Sequence, residues 1–231
     1  MKLTKAVVVL SGGQDSVTCL GLALASHHSV SCISFIYGQK HSIEIEQAKK
    51  ICAKLEVELK IIDISFLGEL VTSALTGDGD VNAAHPNNPD LPASFVPNRN
   101  ALFLTIAHAY AQEKKADFVY TGVCQTDYSG YPDCRKDFVI ALQDSLNLGY
   151  VTNINIITPL MYRTKAETFK LAAQYDCLNL VIEDSHTCYN GDRTIRHHWG
   201  YGCGECGACK LRAKGWEEYC HDISADDKQA N

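Results

Sequence analysis

Short apolar runs alternate along the chain with longer stretches in which apolar positions recur every three or four residues. Residues 6–10 form a β-branched run bounded by polar positions, which predicts a buried parallel strand. Small and apolar residues over 16–26 predict a helix, and 32–36 a second strand. From Ile43, the positions Ala48, Ile51, Cys52 and Leu55 share one helical face with charges opposite. Val57, Leu59 and Ile61 alternate as a third strand, and 100–111 is a nearly apolar helix. Two more strands are expected at 118–121 and 154–158, with a helix over 137–147 between them. Strand and helix alternating in this way predict a parallel sheet with right-handed crossovers. The expected class is α/β, parallel and Rossmann-like.

Two segments interrupt the rhythm. Residues 77–98 hold four of the six prolines with Gly, Asp and Asn, and predict a long functional loop. Beyond residue 185 the alternation gives way to a Cys-, His- and Gly-rich stretch, and from Asp222 to a polar tail.

Charge and composition narrow the function. With 21 basic and 27 acidic side chains the net charge is −6, which lacks the basic footprint of a nucleic-acid binder. No apolar run approaches the roughly 18–20 residues of a membrane span, and 6–10 is too short for a signal core. A cytoplasmic protein is expected. Eleven cysteines in a reducing compartment read as core thiols, metal ligands or catalytic groups rather than disulfides. Cys19, Cys32, Cys52, Cys124, Cys134, Cys177 and Cys220 are scattered and read as small buried hydrophobes.

The sharpest chemical motif is Ser11-Gly12-Gly13-Gln14-Asp15-Ser16, between the first strand and first helix. Glycines let backbone N–H groups approach an anion, and the helix N-terminus adds the positive end of its dipole. Asp15 is unfavourable beside a bare phosphate, so a Mg²⁺ ion shared between its carboxylate and the phosphates is expected. The bland alternative is a tight turn capped by Asp15 or Ser16. The turn itself matches neither G-x-x-x-x-G-K-[ST] nor G-x-G-x-x-G.

A second motif has the pattern C-x14-C-x2-C-x2-C, from Cys188 through Cys203, Cys206 and Cys209. Thiolates at this spacing suit a closed, structural tetrahedral Zn²⁺ site. His186, His197 or His198 could replace one sulfur, and an iron–sulfur cluster is the competing occupant. The chain thus divides into an α/β domain over 1–185 that carries the candidate phosphate loop, a cysteine-rich segment over 186–221 expected to bind zinc, and a tail over 222–231. Thr164 and Glu167 predict a capping box, with Lys165 at the C-terminal side of a strand, where ligands of open α/β sheets bind.

Ser-Gly-Gly-x-Asp-Ser after a first strand resembles the PP-loop of ATP pyrophosphatases, which cleave ATP between its α and β phosphates. Tyr37-Gly38-Gln39-Lys40-His41, the run 95–100, Thr121-Gly122-Val123-Cys124, Asp133-Cys134-Arg135, Thr158-Pro159-Leu160 and the terminal cysteines narrow the resemblance to the 7-cyano-7-deazaguanine synthase (QueC) family. It spans residue 6 to about 214. The chain departs from that family in having Asn98 for a usual Gly, and in extra residues between Cys188 and Cys203, including Arg193, Arg196, His197, His198 and Trp199.

The resemblance implies that 1–185 is a PP-loop nucleotide-binding domain. It also implies conversion of 7-carboxy-7-deazaguanine and ammonia to the nitrile, through adenylated intermediates, with release of AMP and pyrophosphate. Asp15 and Lys165 are the catalytic candidates. Leu10, Ser11, Gly12, Gly13, Gln14, Asp15, Ser16, Val17, Thr18, Cys19 and Leu20 are expected to bind ATP. Arg99, Asn100, Asp127, Tyr131 and Asp133 are expected at the substrate. Residue 2 is Lys rather than Cys, and no His-x-Glu accompanies Cys124, so free ammonia replaces a glutaminase. Expected partners are ATP, the deazaguanine acid and ammonia; a homodimer is compatible, and neither membrane nor nucleic acid is expected. A tRNA thiolase or a zinc-stabilised nucleotide sensor are the alternatives.

Overall fold

The computed structural model describes residues 3–39, 41–77, 79, 83–126 and 131–229, with side chains up to 225. Five strands build the main sheet: β1 (Lys5–Val9), β2 (Ser29–Ile36), β3 (Glu58–Asp63), and, after the short hairpin β4 (Ala84–His85) and β5 (Asn88–Pro92), β6 (Phe118–Tyr120) and β7 (Asn155–Ile157). Their order is β3-β2-β1-β6-β7, and every pairing in the sheet is parallel. The predicted α/β class is therefore the observed one. The hairpin lies inside the segment expected to be a plain loop.

The crossover helices are α1 (Gln14–Ser26), α2 (Ile43–Lys54), the short α3 (Phe66–Leu70), α4 (Arg99–Lys114), α5 (Lys136–Tyr150), α6 (Lys165–Gln174) and α7 (Leu178–Glu183). A second hairpin, β8 (Arg196–His197) with β9 (Gly200–Tyr201), precedes the terminal helix α8 (Gly207–Gln229). On β1, Ala6 and Val8 enter one core with α1, α2 and α6, while Val7 enters the opposite core with Leu104 and Ala107 of α4. A period of two on a strand covered on both faces explains why the whole run is apolar.

The thiol-rich C-terminal region joins the first of these cores: Cys188, Trp199, Cys206, Cys209 and Tyr219 pack into it with Phe169 of α6. Phe169 is fully buried, its ring 5.1 Å from Trp216 and 6.0 Å from Tyr219 of α8. Phe169→Ala removes a ring that nothing else can replace. It should cost about 3–5 kcal/mol in denaturant unfolding; a loss under about 1 kcal/mol would mean that α8 does not dock here. Helix α8 continues past Asp222, where the sequence predicts only a polar tail. Among the scattered cysteines Cys19, Cys32, Cys52, Cys124 and Cys177 are buried as expected, Cys134 is half-buried, and Cys220 is a correction, exposed on α8. No described helix is long and apolar enough to cross a membrane.

Candidate active site and thiolate cluster

Strand order reverses at β1, flanked by β2 on one side and β6 on the other. Crevices at the C-terminal edge of such a switch point are where open α/β sheets bind ligands. Here a cavity of about 330 Å³ opens, within the range of small-molecule sites. Its walls include Ser11, Gly13, Gln14, Asp15 and Ser16 from the first turn, Thr121 to Cys124 after β6, and Lys165.

The turn is organised by Ser16. Its Oγ accepts the Ser11 and Gly12 N–H groups at 3.2 Å each and donates to the Gly13 carbonyl at 3.0 Å. Gly13 is the N-cap of α1 and no side chain caps it, so neither Asp15 nor Ser16 plays the capping role of the bland reading. Gly12 has φ +94°, and a Cβ there would fall 2.2 Å from the Glu44 carbonyl. The close approach of α2 to the loop thus requires glycine. The Gly12 carbonyl in turn accepts the His186 N–H at 2.9 Å, tying the loop to the segment just before Cys188.

Asp15 and Lys165, 150 residues apart, meet here: Lys165 Nζ donates to Asp15 Oδ2 at 2.7 Å. The other oxygen, Oδ1, is buried with no hydrogen-bond partner. The capping box that positions Lys165 is present, with Glu167 N–H donating to Thr164 Oγ1 and Thr164 N–H to Glu167 Oε2. The other predicted ATP positions are distributed differently. Leu10, Val17, Cys19 and Leu20 are core, and Thr18 Oγ1 donates to the Gln14 carbonyl. They shape the turn from behind.

Arg99, Asn100 and Tyr131 also line the cavity. Asn98 adopts φ 57°, so the asparagine keeps the left-handed turn expected of a glycine there. Its side chain does not cap α4. Asp133 does so from a distance, its Oδ2 accepting the Asn100 N–H at 3.0 Å, and it lies behind the cavity wall. Asp127 lies outside the described residues, as do Lys40 and Tyr128.

Several wall residues are not among those expected at the nucleotide or substrate. Tyr37, Glu44, Phe103, His186, Tyr189 and Arg212 all face the cavity. Burial lifts the Glu44 carboxyl to about 7, against the pull of Arg99, and raises the Tyr189 phenol. His186 is almost fully buried with both ring nitrogens unpartnered, and burial with Arg193 and Arg212 nearby lowers it to about 4. Arg212 is buried on α8 and donates to the carbonyls of Trp199 and Val181 and to Thr187 Oγ1.

The ligand atoms of Cys188, Cys203, Cys206 and Cys209 lie within 4.8 Å of one another, a group that could hold a metal ion. Backbone N–H groups of Cys203, Glu205, Cys206 and Cys209 point at its sulfurs at 3.4–3.5 Å. Hydrogen bonding from Cys209 holds Cys206 below the ordinary thiol range, so a thiolate is favoured within the cluster. A Cβ at Gly202 would meet Cys209 Sγ at 2.6 Å, so this knuckle also requires glycine. His197 is elsewhere: its Nε2 is 2.9 Å from the Gly202 carbonyl oxygen and its ring stacks on Trp199. The extra residues before Cys203 form the β8–β9 hairpin, clamped to α7 by Arg193 on the Glu183 and Ser185 carbonyls.

A parallel sheet whose first strand ends in Ser-Gly-Gly-x-Asp-Ser, at the switch point, defines a PP-loop nucleotide-binding protein. Within that class the assignment is specific. The family model described as "Queuosine biosynthesis protein QueC" matches residues 5–220, and the chain belongs to that family. It is 54% identical over 216 residues to the 7-cyano-7-deazaguanine synthase of Wolinella succinogenes, covering 93% of each chain. It is 47% identical to the 7-cyano-7-deazaguanine synthase of Helicobacter acinonychis, covering 92% of this chain and 96% of that one. Among solved structures, a 4-thiouridine synthetase–RNA complex with bound ATP is similar at 19% identity and TM-score 0.49, over 98% of this chain and 53% of that one.

Proposed function

We propose that this chain is an ATP-dependent carbon–nitrogen ligase that converts 7-carboxy-7-deazaguanine and ammonia to 7-cyano-7-deazaguanine, releasing AMP and pyrophosphate, in the cytoplasm. One observation carries the reading: Lys165 and Asp15 are paired beside the phosphate loop, in a chain whose relatives bear that enzyme's name.

The chemistry is coherent with the site. A carboxylate resists ammonia because it is anionic and its oxide is a poor leaving group. Transfer of AMP to the carboxylate oxygen makes AMP the leaving group, and ammonia displaces it to give the amide. Adenylation of the amide oxygen then lets AMP depart as the nitrile forms. The chain's own part is positioning and charge stabilisation rather than covalent catalysis. Ser11, Gly13 and Ser16 border the place of the leaving pyrophosphate, and Lys165 supplies positive charge at its edge. Asp15 Oδ1, buried and unpartnered, is the oxygen that would hold Mg²⁺; the ion supplies charge neutralisation on the phosphate oxygens when bound. Arg99, Asn100 and Tyr131 serve the substrate end, with Asp133 setting the start of α4.

For the cysteine cluster, Zn²⁺ fits. Zn–S bonds of about 2.3 Å in a tetrahedron set sulfurs about 3.8 Å apart, and Cys203 and Cys209 stand at 3.9 Å. A four-iron cluster spreads its thiolates around a larger cube, which disfavours the tRNA-thiolase alternative. Residues 186–221 are thereby a zinc-binding segment docked on the nucleotide-binding part, 1–185. Chromatography of the nucleotide products tests the bond cleaved: AMP with pyrophosphate is expected, whereas ADP with inorganic phosphate would contradict the PP-loop reading.

A further inference from the structure

One charged wall residue has no part in the proposed chemistry. Glu44 sits in the first turn of α2, whose carbonyl presses on Gly12, and it lines the cavity beside the phosphate loop. It is half-buried, and no described residue hydrogen-bonds to its carboxylate. Its charge interacts with Arg99, Tyr37 and Tyr189. The Arg99 guanidinium lies over the rings of Tyr37 and Phe103, at 5.6 and 5.9 Å from their centroids, and its Nε is buried without a partner. A carboxylate and a guanidinium therefore line, with the aromatic faces of Tyr37 and Phe103, the same cavity as the phosphate loop.

A carboxylate in a site for anionic ligands repels phosphates, and its use is to accept from N–H donors. The ligands of the proposed reaction differ in what they offer it. Adenine sets one amino donor beside a ring-nitrogen acceptor, whose lone pair a carboxylate repels. The deazaguanine ring sets a carbonyl acceptor, a ring N–H and an amino group in one row, which a guanidinium next to a carboxylate matches in order. The geometry points to Glu44, with Arg99 beside it, as the specificity determinant for a guanine-type edge: Glu44 accepts from the ring N–H and 2-amino group while Arg99 donates to the carbonyl. This inference rests on the proposed reaction and adds the residue that selects its base.

The test is calorimetric binding to the full chain, compared between wild type and Glu44→Gln. The variant should bind 7-carboxy-7-deazaguanine about 10- to 100-fold more weakly, the loss of one charged hydrogen-bonding group. Its ATP affinity and its KM for ammonia should be unchanged, which also shows that it is folded. Equal affinity of variant and wild type for the acid would overturn the assignment. So would a loss confined to ATP or to ammonia, which would make Glu44 an adenine or ammonium contact. A second arm needs no variant: wild type should bind the 2-deamino analogue, 7-carboxy-7-deazahypoxanthine, about tenfold or more weakly than the parent acid. Equal binding of the two overturns the assignment as well. Failure of wild type to bind the parent acid at all would instead overturn the proposed reaction, and this inference with it.

Discussion

Asp15→Ala should lower kcat by about 10²–10³-fold while the protein remains folded. The magnitude is that of removing one preorganised electrostatic group from an active site. The variant loses both the Oδ2 partner of Lys165 and the unpartnered Oδ1 that suits Mg²⁺. The side chain is one-quarter exposed and caps nothing, so unfolding free energy should move by no more than about 1 kcal/mol. Steady-state turnover with urea unfolding on the same preparation measures both. Turnover near the wild-type rate would remove Asp15 from the chemistry, and a collapse in stability would make it a structural residue.

Loss of the proposed zinc should have the largest effect on the fold. Cys203→Ser, or exhaustive chelation, is expected to cost on the order of 5 kcal/mol and to free residues 186–221, because metal binding supplies the folding free energy of a short, Gly-rich segment. The loss should spread. Cys188 follows directly on His186 and Thr187, the first tied to Gly12 and the second to Arg212, so ATP affinity should fall too. Elemental analysis with hydrogen exchange reads both parts: about one zinc per chain in wild type, little in Cys203→Ser, and unchanged content in Cys52→Ser. Iron with sulfide would contradict the zinc assignment, as would zinc retained after loss of Cys188.

The parts of this site that follow from local rules are visible in the sequence. The run 11–16, the Thr164–Glu167 box and the three clustered cysteines each need neighbours only a few residues away, so their spacing announces them. Glu44 does not announce itself: it sits with Glu46 on a charged helix turn, and only the packing of α2 on Gly12 turns it to the cavity. Tyr189, His186 and Arg212 likewise reach the wall through tertiary contacts. Helix α8 is a different case. Ala208, Leu211, Arg212, Gly215, Trp216 and Tyr219 recur at helical spacing and are buried or half-buried, but the cysteine motif and two glycines mask the period. The Pro-rich segment hides its hairpin for a related reason, since β5 carries prolines at Pro89 and Pro92, which an edge strand tolerates.

The most direct test of the proposed reaction is mass spectrometry of the base after incubation of the purified protein with 7-carboxy-7-deazaguanine, ammonium and ATP–Mg²⁺. The predicted result is the 7-cyano product, with two AMP formed for each nitrile. Unchanged acid, or ATP consumed without nitrile, would contradict the proposal.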